Sequence, residues 1–78
     1  MKPEDPYLKF VRWNEEDGLY VGYCPDLFPW GGVCHGAKEE QTYGALCELV
    51  REEIAQLTAT SMELPPVFTR PMREAVSA

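Results

Sequence analysis

Residues 20–35 read YVGYCPDLFPWGGVCH, and this stretch decides the fold. Its first residues, Tyr20 to Cys24, have the aromatic and branched character of a strand that is about to end. The next eight, PDLFPWGG at 25–32, hold too many turn formers to continue one. Val33, Cys34 and His35 resume an extended pattern, which Gly36 closes. Two strands joined by a stiff loop with aromatic side chains suit a recognition surface better than an active site. The chain before this stretch must supply a partner strand, and the chain after it a covering helix.

Upstream, residues 7–13 (YLKFVRW) read as a first strand, and residues 14–18 (NEEDG) as a turn whose strongest signal is Asp17-Gly18. With residues 19–24 (LYVGYC) they predict an antiparallel hairpin. Residues 1–6 carry two prolines and read as a frayed lead-in. Alternation sets Tyr7, Val11 and Trp13 on one face of the first strand and Leu8 and Phe10 on the other. In the second strand Leu19, Val21 and Tyr23 oppose Tyr20, Gly22 and Cys24. Both faces are therefore apolar, while one helix covers only one of them. The spare face is expected to meet another subunit or a partner protein, with Tyr7, Val11, Trp13 and Tyr20 as the oligomer interface. The plainer reading leaves Trp13 and Tyr20 half-exposed, as surface aromatics often are.

Downstream, residues 38–60 predict a helix. Tyr43, Leu46, Cys47, Val50, Ile54 and Leu57 form one apolar stripe, and Glu39, Glu40, Glu48, Glu52 and Glu53 fall mostly off it. Glu39 and Glu40 suit the positive end of the helix dipole, whereas Gly44 is a weak point costing about 1 kcal/mol against Ala. Residues 63–66 (ELPP) have room for a brief edge strand. The expected class is α+β: a three- to four-stranded, mainly antiparallel sheet with one helix, in the order β-β-β-α-β. Residues 1–66 form the domain, and residues 67–78 an extended or mobile tail.

The chain has 78 residues and a formal net charge of −6. One small domain with little core to spare often gains stability by self-association. The negative field repels phosphate, so direct DNA binding is not expected, and it attracts basic protein surfaces. No apolar run is long enough to span a membrane and no secretory signal is visible, so the expected location is cytoplasmic. Three cysteines, Cys24, Cys34 and Cys47, argue against a closed disulfide framework.

Asp26, Leu27, Phe28, Pro29 and Trp30 are the first candidates for partner binding, because a stiff backbone with exposed aromatics loses little entropy on docking. The competing reading has Leu27 and Phe28 capping the core with Trp30 lying on it. Cys24, Cys34 and His35 match no standard zinc spacing, and adjacent extended residues point to opposite faces. His35 lacks the nucleophile and orienting acid of a catalytic base. Asp17 and Asp26 read as turn residues bonding local backbone. No catalytic residue, metal ligand or cofactor is assigned.

Asp17-Gly18 ahead of YVGYCPDL, then Gly32, Gly36, Glu40 and Leu64-Pro65 in this order, resemble the HicB family of bacterial antitoxins across residues 7–66. The resemblance implies a partial RNase H-like fold without that fold's acidic metal site. It also implies a partner: a small basic HicA-like toxin that cleaves mRNA and is blocked when the antitoxin covers it. Self-association as a homodimer or tetramer belongs to the same expectation. Two features depart from the family pattern. Ala37-Lys38 replaces a better helix cap, and the tail is too short for the DNA-binding segment many members carry. The alternatives are a solitary oligomeric relative without a toxin and a metal-dependent RNase H-like nuclease.

Overall fold

The structure, a computed structural model, describes residues 3–67. Its elements are β1 (Phe10–Asn14), β2 (Leu19–Tyr23), β3 (Cys34–Gly36) and α1 (Glu39–Ala59). The three strands form one antiparallel sheet in the order β1-β2-β3, so β2 is central. The chain is thus α+β, as the periodicities imply. Residues 63–66 lie outside any strand, so the fourth strand that they had room for is not among the described elements.

The hairpin turn is built from side-chain and backbone bonds to one residue. Asn14 accepts the Asp17 N–H on its side-chain oxygen at 3.1 Å and the Gly18 N–H on its carbonyl at 2.9 Å. Gly18 sits at φ 64, a left-handed conformation that glycine adopts without a steric penalty. This fixes the register in which Asn14 faces Leu19, Trp13 faces Tyr20 and Val11 faces Gly22.

Helix α1 starts without a side-chain cap, since Lys38 has extended dihedrals but no bond from its side chain. One turn in, the Lys38 carbonyl accepts both the Thr42 hydroxyl at 2.7 Å and the Thr42 N–H at 3.0 Å. The helix buries Thr42, Leu46, Val50 and Ile54, a strict i, i+4 ladder, with Leu57 partly buried beyond it. Tyr43 stands outside that ladder at 42% exposure, although the apolar stripe includes it. Leu46 and Val50 are fully buried, each worth roughly 1.5–3 kcal/mol of removed apolar surface.

The helix lies on the sheet face that carries Val11, Gly22 and Cys34. A β-carbon at Gly22 would stand 3.2 Å from the Leu46 β-carbon, and one at Gly36 would meet the Thr42 hydroxyl at 2.7 Å. The two glycines therefore let α1 approach the sheet closely. Tyr7, Cys24, Leu27 and Phe28 complete the core around Leu46, Val50 and Ile54.

The lead-in is not frayed within the described residues. Glu4 is buried and its carboxylate lies 3.5 Å from Arg51 on α1. Lys9 donates to the carbonyls of Glu4 at 2.9 Å and Tyr7 at 3.2 Å, closing a turn where a strand was expected to begin. The Tyr7 hydroxyl donates to the Pro65 carbonyl, so both flanks of the domain meet at one tyrosine. The tail expected at residues 67–78 lies, beyond Val67, outside the described residues.

Candidate interaction surface

The structure separates the residues expected to bind into two groups. Leu27 and Phe28 are buried, because residues 25–28 fold into a tight turn in which the Cys24 carbonyl accepts the N–H groups of Leu27 at 3.2 Å and Phe28 at 2.8 Å. They cap the core, as the plainer reading had it. Asp26 is half-buried at the same turn. Trp30 projects outward with 74% of its surface exposed, its ring edge-to-face with Phe28 at 5.5 Å. The loop thus offers one large exposed aromatic on a buried footing.

Of the expected oligomer set, Tyr7 and Val11 are claimed by the core, while Trp13 and Tyr20 keep exposed surface. Tyr7 is 5% exposed in the core, and Val11 packs against that core. Trp13 and Tyr20 share the helix-bearing side and pair edge-to-face at 5.0 Å, with Trp13 48% exposed. The spare face is the opposite one. Phe10, Arg12 and Asn14 of β1, Leu19, Val21 and Tyr23 of β2, and His35 of β3 point there by alternation and register. Phe10 and Tyr23 stack across the strands, with ring centroids 5.1 Å apart and planes within 16°. Gly22 and Gly36 were the signal that could have told the faces apart, because small residues in a sheet mark where another element comes close.

This open face carries a shallow trough of about 750 Å³. Leu19, Val21 and Tyr23 of β2 form its floor, with Val33, Cys34 and His35 alongside. Asn14 and Asp17 stand at the turn end. Gly32 folds over the far end of the floor; a β-carbon there would come within 2.5 Å of Val21. Its lining is at least as polar as it is apolar, and one end is acidic, where Glu15 and Glu16 adjoin Asp17 on the exposed turn.

The remaining polar candidates are scattered. Cys34 turns its sulfur toward α1, 3.6 Å from the Thr42 carbonyl, whereas His35 faces the opposite side of the sheet. Asp17 and Asp26 lie beyond opposite ends of β2, a five-residue strand rising about 3.3 Å per residue. Among the described residues no group of three or more His, Cys, Asp or Glu is placed to hold a metal ion. All three cysteines are free thiols. Burial pushes the Cys24 and Cys34 thiols above their ordinary value, which keeps both protonated near neutrality and makes them weak nucleophiles. No described helix is long and apolar enough to cross a membrane.

Set against models of known protein families, curated proteins and solved structures, the chain matches none of them.

Proposed function

We propose that the chain is a protein-binding module that performs no chemistry of its own and acts by covering a small basic partner. The observation that carries this reading is the open sheet face. Phe10, Leu19, Val21 and Tyr23 line it, each partly exposed, while α1 packs on the other face of the same three strands. A chain of this size gains from burying such a surface against something else. Trp30 adds an exposed anchor of the type that dominates binding energies, and the net charge of −6 selects a basic partner over an acidic one.

The resemblance to HicB antitoxins gives the partner its most concrete form, a HicA-like mRNA-cleaving toxin silenced by being covered in the cytoplasm. The four-stranded, partial RNase H-like version of the fold belongs to the same proposal. The apolar face also supports a second reading, a solitary homodimer or tetramer whose subunits cover one another.

Affinity capture of the tagged protein from its own host lysate, at low and high salt, separates the two. The expected result is a stoichiometric small basic protein that salt releases, that cleaves RNA alone and that stops doing so when recombined with this chain. Recovery of nothing but the chain's own subunits would sink the antitoxin reading in favour of the solitary oligomer.

A further inference from the structure

Resting on the second of those readings, self-association, we infer that the open sheet face receives a second copy of this chain, laid face to face and antiparallel so that Arg12 of each copy meets the acidic turn of the other. The charges on this face carry the inference. Arg12 is exposed, stands in the middle of β1 and points to the open side by alternation. Glu15 and Glu16 border the same shallow hollow of about 320 Å³ as Arg12 and Tyr23, so the acidic turn reaches the open side as well. None of the three forms an ion pair with another described residue. One cation and two carboxylates therefore stand unpaired on one surface, set apart along the strand.

Their spacing suits a twofold axis. Arg12 and Glu16 are four positions apart, about 13 Å along an extended chain. The residue midway is Asn14, whose cross-strand partner is Leu19. An axis lying between two facing sheets and crossing the strands at this pair reverses one copy over the other. It sets Arg12 opposite Glu16 twice and brings Leu19 of one copy against Leu19 of the other, as an isologous contact requires. Packed sheets stand about 10 Å apart, a gap that an arginine and a glutamate side chain bridge together. The mixed lining of the trough fits the same occupant. Leu19 and Val21 offer it apolar surface, while Asn14, Asp17 and His35 offer polar groups to the turn of the other copy. A purely cationic ligand is opposed by Arg12 and a purely anionic one by Asp17, whereas a second copy brings both signs at the matching spacing. The repulsion between two chains of net charge −6 is spread over both surfaces and damped beyond about 10 Å at 0.1 M salt, while the Arg12–Glu16 contacts are local.

The test is sedimentation equilibrium of the full chain, unaltered and as Arg12→Glu, Glu16→Arg and the two together. The unaltered chain should dimerise. Each single reversal should weaken the dimer about tenfold, because symmetry counts every lost pair twice, and the double exchange should regain most of the affinity. Both positions are exposed, and a dilution series by amide NMR decides on the unaltered protein: Arg12, Asn14, Glu16, Leu19 and Val21 should shift with concentration. A dimer indifferent to both reversals, a double variant no tighter than the single ones, or shifts centred on Trp13 and Tyr20 would each overturn this contact and leave self-association standing. A chain that stays monomeric at millimolar concentration would overturn both.

Discussion

Gly22 stands at the closest approach of helix and sheet. A β-carbon there would lie 2.9 Å from the Cys34 sulfur and 3.2 Å from the β-carbon of Leu46, which is fully buried. Gly22→Ala should therefore destabilise the fold by about 1–3 kcal/mol, the usual cost of overpacking a filled core. Urea unfolding followed by tryptophan fluorescence measures it. Adding Cys34→Ala removes the nearer atom, so the double variant should recover part of the loss, and strictly additive effects would mean that the two sites do not touch. Trp30 is the opposite case. Its ring rests on Phe28 by one edge and is otherwise in solvent. Trp30→Ala should shift stability by less than about 1 kcal/mol while weakening partner capture; a large fall in melting temperature with capture unchanged would assign Trp30 to the core instead.

Helix α1 begins on an extended Lys38 whose side chain leaves the first-turn N–H groups without a cap. Lys38→Ser should raise stability by about 0.5–1 kcal/mol, and a serine that leaves the urea midpoint unchanged would show that those N–H groups already have partners. At this scale much of the chain was legible from its sequence. The hairpin turn follows from Asp17-Gly18, and β2 and α1 lie within about a residue of where periodicity puts them. What pattern alone missed is long-range. Residues 7–9 look like strand by composition. In the fold Tyr7 is claimed by the core and by Pro65, and Lys9 by two carbonyls of the lead-in. Thr42 rather than Tyr43 faces the sheet because Gly36 leaves room only for a small side chain there. Both sheet faces are apolar, so alternation sorted residues into the correct two sets without saying which set the helix would cover. Of the expected oligomer residues, Tyr7 and Val11 accordingly belong to the core, while the trough belongs to the other face.

At the scale of the molecule, four ionisable groups among the described residues bind their protons more tightly when folded. Desolvation is the main cause at Cys24, Cys34, Tyr7 and Tyr43, with the negative charge of Asp26 adding to it at Tyr7. All four are neutral below their titration, so folding favours the protonated form. The unfolded chain releases these protons first, near 9.0 for the thiols and 10.0 for the phenols. Their contribution is complete below about pH 8 and is lost as pH rises through the raised folded values. Urea midpoints should accordingly be flat from about pH 7 to 8 and fall above about pH 9. Cys24→Ala should make that alkaline fall shallower, whatever it does to stability at neutral pH. A midpoint that holds steady to pH 11 would contradict the burial of these groups.

The hydrogen bond from Tyr7 to Pro65 spans 58 positions of the chain. Closing so wide a loop in an otherwise unstructured chain costs about 2 kcal/mol more than closing a hairpin turn, since the entropy of closure grows with the logarithm of length. Helix and sheet must shorten that path before the two flanks can meet. The contact is thus a clasp that fastens last during folding. It is also the natural first seam to open, freeing both flanks while the helix stays seated on the sheet.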